Sequence, residues 1–155
     1  MKNKVLHGIS AYDHVTNTFY ISEELIDKKW FGSIVNTDYF AAKSIDDVIE
    51  HELGGHKAHW DAIYRYQKAN DILSLEQAKT DLEIELRYYV LTQMQNDKLY
   101  IDKTVSRNAS KWFAEEKSLN ELIADAKIKM SNNIMTDDSL EERISEVLNY
   151  DGKSK

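Results

Sequence analysis

From Ser44 onward apolar residues recur at the three- and four-residue intervals of an amphipathic helix: Ile45, Val48, Ile49 and Leu53, then Trp60, Ile63 and Tyr64. Ser-Ile-Asp-Asp, starting at Ser44, reads as a capping box at the head of this helix, with a hydroxyl at N-cap and a carboxylate three residues on. The same reasoning opens a second helix at Ser74-Leu-Glu-Gln, running to about Asn96, and another at Ser118-Leu-Asn-Glu, running to about Ser131. A last helix is expected from Asp138 to Asn149, before Gly152, and a further helix or turn near Asp102–Phe113. Ahead of Ser44 the pattern is different. Thr18–Ser22 is β-branched and aromatic, so a short strand is expected there; Lys4–Ile9 reads as a second strand and Glu23–Val35 as a short helix ended by Gly32. The pattern as a whole predicts an α+β chain, mainly α, with a small N-terminal sheet followed by helices.

Composition narrows this further. A chain of 155 residues suits one domain with a real core, and 42% hydrophobic with 30% charged residues is ordinary for a soluble globular protein. No apolar run approaches the roughly 20 residues of a membrane span, and the first residues are too polar for a secretory signal. There is no proline and there are five glycines, which favours long helices over tight turns. The absence of cysteine excludes disulfides and thiolate ligands, so a metal would need histidine nitrogen and carboxylate oxygen. A net charge of -7 with scattered basic residues argues against binding to nucleic-acid phosphates.

The densest chemistry lies in His-Glu-Leu-Gly-Gly-His-Lys-Ala-His, from His51 to His59. Two histidines four apart on a helix differ by about 40° and can share one ion, but five apart they differ by about 140°. His51 and His56 are five apart. A π-bulge removes the difficulty, because it brings residues i and i+5 onto one face. Gly54 and Gly55 sit where that bulge would form, and glycine tolerates unusual dihedrals. Glu52 would then be the general base beside the metal. A second frame needs no bulge: Glu52, His56 and His59 lie at i, i+4 and i+7 of a regular helix, which makes His59 an alternative ligand. A half-buried histidine stripe without metal is the plain alternative to both.

Two histidines leave a catalytic zinc short of one protein ligand. Glu121 and Asp125, at i and i+4 on a later helix, offer one carboxylate to coordinate and one to orient a ligating imidazole. Glu115 and Glu116 are further candidates.

His-Glu-Leu-Gly-Gly-His followed by Asn-Glu-Leu-Ile-Ala-Asp resembles the gluzincin pattern of thermolysin-like zinc peptidases. The resemblance implies His51, His56 and Glu121 as zinc ligands, Glu52 as catalytic base and Asp125 as support for a histidine. The order of the Tyr20 strand, the Lys43–His56 stretch, Val105–Ala109 and Asn120–Ala126 is also similar to small peptidase-like domains of phage and mobile-element proteins, often attached to minor capsid or head-morphogenesis proteins. It covers roughly residues 16–130. This likeness implies one zincin-like domain over residues 1–155 that hydrolyses peptide bonds. Its partners would be a peptide or protein substrate and phage structural proteins, with neither nucleic acid nor membrane. Its place would be the cytoplasm of the producing bacterium or the virion.

The extra residue between the histidines keeps a non-catalytic alternative open: an inactive peptidase-like structural or interaction module of a phage head or mobile-element protein, with its metal lost or kept for folding and closed by His59 as fourth ligand. A carboxylate-rich redox site is disfavoured, since no paired Glu-x-x-His elements occur. For catalysis, Tyr88, Tyr89 and Tyr100 are candidates to stabilise an oxyanion, and the strand at Tyr20 could pair with an extended substrate.

Overall fold

The computed structural model describes residues 10–21 and 39–153. The strand expected at Lys4–Ile9 and the helix expected at Glu23–Val35 lie outside the described residues.

The described chain is mainly helical, with one small antiparallel sheet. Strand β1 (Ser10–Asp13) pairs with β2 (Thr18–Ile21) in the register Ser10 to Ile21 and Asp13 to Thr18. The turn between them is fastened to a helix: the His14 ring stacks on Trp60 at 3.7 Å between centroids, and its Nδ1 lies 3.0 Å from the Tyr64 hydroxyl. Ser10, Ala11 and Tyr12 of this hairpin line a cleft together with His51 and Glu52.

Helix α1 (Ile45–Ile49) starts as expected, with the Ser44 hydroxyl accepting from the Asp47 backbone N–H at 3.1 Å. The Asp47 carboxylate reaches one residue further back, to the Lys43 N–H. The helix does not stop at the two glycines. It passes through a π-helical segment (Glu50–Lys57) into α2 (Ala58–Ala69), with right-handed helical dihedrals at both joints. The winding expected at the diglycine is therefore present, spread over eight residues.

The long helix expected from Ser74 is two. Helix α3 (Leu75–Leu82) and α4 (Ile84–Gln95) meet at Glu83, whose side chain is fully buried. A short α5 (Ile101–Thr104) leads to α6 (Arg107–Glu116), capped by the Ser106 hydroxyl, which accepts from the Ala109 N–H. Lys117 closes α6 in the left-handed conformation. Helix α7 (Asn120–Ser131) begins later than expected. Leu119 is its N-cap without a side-chain bond, and Ser118 accepts only from the Asn120 N–H. Glu121 thus takes no part in a capping box and is left to face the histidines. Helix α8 (Asp138–Leu148) is capped by Asp137 and ends the described fold.

One core joins α2 to α8, through Ile63, Leu86, Phe113, Leu122, Ile123 and Ile144. A second, smaller cluster of Ala41, Ala42, Val48 and Ile128 packs the segment before α1 against α7. Among the described residues no helix is long and apolar enough to cross a membrane.

Candidate metal centre

The π segment and α7 lie against each other and supply the site from both sides. Hydrogen bonding from i to i+5 turns residues five apart toward one face. His51 and His56 accordingly meet edge to face, with ring centroids 4.7 Å apart. Gly55 allows the helices to approach: a Cβ at this position would stand 2.7 Å from the Cα of Ala124 on α7. Neither Gly54 nor Gly55 adopts positive φ, so dihedral freedom is not what these positions require. At Gly55 the requirement is space.

Across that approach, the His56 Nε2 lies 2.6 Å from Glu121 Oε2, and the His51 Nε2 lies 3.5 Å from Glu121 Oε1. Each of these three side chains offers a ligand atom, and the atoms fall within 4.8 Å of one another. Ligands at zinc–nitrogen and zinc–oxygen distances around a tetrahedral ion are about 3.3 Å apart, so to hold one the 2.6 Å contact of His56 with Glu121 would have to open and the widest pair to close.

Asp125 orients His51. Its Oδ1 lies 2.8 Å from His51 Nδ1, so Nδ1 carries the proton and Nε2 is turned to the cluster. The other oxygen of Asp125 accepts from the Ser106 hydroxyl at 2.5 Å and from the Asn108 amide at 3.3 Å. The same amide nitrogen is 3.0 Å from Glu121 Oε1.

These contacts set the charges. Burial by itself pushes the His51 imidazole down, but the hydrogen bonds and charges of Asp125 and Glu121 outweigh it and hold His51 well above its ordinary value. Burial pushes the Glu121 carboxyl up, and the imidazoles of His56 and His51 overcome this and hold it well below. Glu52 goes the other way: burial raises it, and the nearby histidines and the Ser10 hydroxyl only partly offset the rise. Glu52 is 3% exposed, and its Oε2 is buried with no hydrogen-bond partner among the described residues. Its Oε1 lies 3.5 Å from His51 Nε2. An orphaned carboxylate oxygen beside converging imidazoles fits a site that holds a cation and a water molecule.

The cluster opens into a cleft of about 740 Å³, walled by Tyr12, Tyr39, Phe40, Trp60 and Trp112.

Other residues singled out in the sequence are elsewhere. His59 does not join the group. It is fully buried, with Nε2 2.6 Å from Glu83 Oε2, because the π winding rotates it away from Glu52 and His56. Glu115 is exposed and Glu116 lines the cleft, and neither belongs to the three-ligand group. Tyr88 and Tyr100 are exposed, while the Tyr89 hydroxyl donates to Asp137; none of the three lines the cleft. Sequence reasoning missed Asn108, Tyr12 and Tyr39, and noticed Ser106 only as part of a likeness. No local pattern marks them, since each acts across the fold.

Comparison of the chain with protein-family models, curated proteins and solved structures found no match.

Proposed function

We propose that this chain is a zinc-dependent hydrolase acting on peptide bonds, with His51, His56 and Glu121 holding the metal and Glu52 serving as general base. The observation that carries the reading is the convergence of two imidazoles and a carboxylate beside the buried, unpartnered Oε2 of Glu52.

A bound zinc ion would polarise the substrate carbonyl and acidify a water molecule. Glu52 Oε2 would accept the proton of that water and deliver it to the leaving amine. Its raised pKa suits both halves of the task, because a base closer to neutrality also returns a proton readily. Asp125 would keep His51 in the tautomer that presents Nε2. In the metal-free site the imidazoles hold Glu121 ionised and the carboxylates hold a proton on His51, so a cation would have to displace that proton.

Two points favour catalysis over a closed structural site. Such a site takes four protein ligands, and the obvious fourth, His59, is engaged by Glu83 in the core. The cluster also faces an open cleft with aromatic walls. The choice of a peptide substrate draws support from the likeness of the two motifs to the gluzincin pattern.

The test is zinc content and proteolysis. Purified protein is expected to carry stoichiometric zinc, lost in His51→Ala and in His56→Ala, and to cleave unfolded casein. Glu52→Gln should keep the metal and lose cleavage. Zinc content unchanged in both histidine variants would overturn the metal assignment, and full cleavage by Glu52→Gln would overturn the base.

A further inference from the structure

The Asn108 side chain lies between the two carboxylates of α7. Its Nδ2 is 3.0 Å from Glu121 Oε1 and 3.3 Å from Asp125 Oδ2. Both contacts are made by the amide nitrogen, which donates, to carboxylate oxygens, which accept. Its two hydrogens allow one bond to each. Asn108 is 3% exposed, and its backbone N–H donates to the Tyr39 carbonyl at 3.0 Å, which ties the head of α6 to the wall of the cleft.

We propose that Asn108 is a positioning residue of the metal centre, whose amide fixes the rotation of Glu121 and joins it to the carboxylate that orients His51. This rests on the metal reading above. Glu121 and Asp125 stand one helical turn apart and carry like charge, an arrangement that pushes them away from each other. A neutral double donor between them opposes that push without adding charge. It also engages Oε1 of Glu121, which leaves Oε2, 2.6 Å from His56 Nε2, as the oxygen that would meet a cation shared with that imidazole. A longer or charged side chain would not do the same: lysine would add charge in a buried place, and aspartate would set a third carboxylate against two. Ser106, two residues earlier, secures the same Asp125 oxygen and caps α6, so the head of one helix organises both acidic groups of the next.

The test compares zinc affinity, by competition with a chromogenic chelator, with thermal unfolding of metal-free and zinc-loaded protein. Asn108→Ala should weaken zinc about 10- to 100-fold, the usual effect of losing an outer hydrogen bond to a ligand. Asn108→Asp should weaken it at least as much. The gap in unfolding temperature between zinc-loaded and metal-free protein should shrink in both. An Asn108 that served the fold alone would lower both transitions together and leave affinity unchanged, and that result overturns the proposal. If Asn108→Ala does not fold, wild-type protein decides: the side-chain amide signals of Asn108 in ¹⁵N spectra should shift on zinc addition, and unmoved signals overturn the role. Wild type that takes up no zinc overturns the metal reading itself, whereas zinc uptake with unaltered affinity in Asn108→Ala overturns only this inference.

Discussion

Gly55 and Ala124 meet backbone to backbone: a Cβ built on Gly55 would lie 2.9 Å from the Ala124 Cβ and closer still to its Cα. This contact sets how near the histidines of one helix come to the acidic residues of the other. A methyl group at Gly55 must push the π segment and α7 apart, because the neighbour is backbone and cannot turn aside. Gly55→Ala is therefore expected to cost about 1–3 kcal/mol of stability and to lose most of its zinc. At Gly54 the nearest atoms belong to the end of the Glu50 side chain, which is flexible and pairs only loosely with Lys127 at 3.8 Å. Gly54→Ala should then stay within about 0.5 kcal/mol of wild type and keep its metal. Thermal unfolding and metal analysis of the two variants check this, and equal behaviour would remove the close approach from the account.

The contrast between these glycines shows what could be seen in advance. The Ser44 cap, the strand at Thr18–Ile21 and the i, i+4 pairing of Glu121 with Asp125 are local patterns, and local patterns are legible along a chain. The π winding was legible too, because His51 and His56 cannot share a face without it. The reason for Gly55 was not legible, since it lies 69 positions away at Ala124. Glu83 falls within the one helix expected from Ser74 to about Asn96, and nothing nearby in the sequence signals that it turns inward to His59. Ser106 and Asn108 escape for the same cause: their partners are on another helix, and no periodicity links them.

Proton competition gives a pH dependence with a definite sign. In the metal-free protein His51 is held well above the ordinary 6.5. Its contribution to stability is thus fully present below pH 6.5 and is lost as pH rises through the higher folded value. Metal-free protein should unfold at lower temperature as pH is raised above 6.5. Zinc must displace the same proton, so zinc affinity should increase over that range, with proton release visible as a buffer-dependent heat in calorimetry. The zinc-loaded protein should accordingly lose less stability with pH. Zinc affinity independent of pH across this window would contradict the charge state assigned to His51.

His59 separates the two metal frames. Its Nε2 is 2.6 Å from Glu83, which also pairs with Lys79 at 2.8 Å, and its Nδ1 has no hydrogen-bond partner among the described residues. His59→Gln should retain stoichiometric zinc while losing about 1–3 kcal/mol of stability, since a buried acceptor loses its best donor. Burial lowers the His59 pKa, and Glu83 only partly restores it. The unfolded chain therefore takes up a proton below pH 6.5 more readily than the fold does, and stability falls with acid. His59→Gln should flatten that part of the curve. Loss of zinc from folded His59→Gln would revive the frame of Glu52, His56 and His59.

Deleting Gly54 tests the winding itself. A π-bulge is one residue inserted into an α-helix, so its removal returns the segment to α geometry and leaves the flanking turns in phase. His51 and His56 would then be four apart, about 40° around the axis, and still on one face. The same deletion made in regular helix, at Tyr64 in α2, would instead rotate everything beyond it by about 100°. The protein lacking Gly54 is expected to bind zinc and to unfold at a temperature no lower than wild type, because the poorer hydrogen-bond geometry of the π segment is gone. The protein lacking Tyr64 should unfold well below it, since Tyr66 and its neighbours leave the core. If removal of Gly54 abolishes zinc binding in a folded protein, the extra residue is a requirement of the site and not an insertion that the helix absorbs.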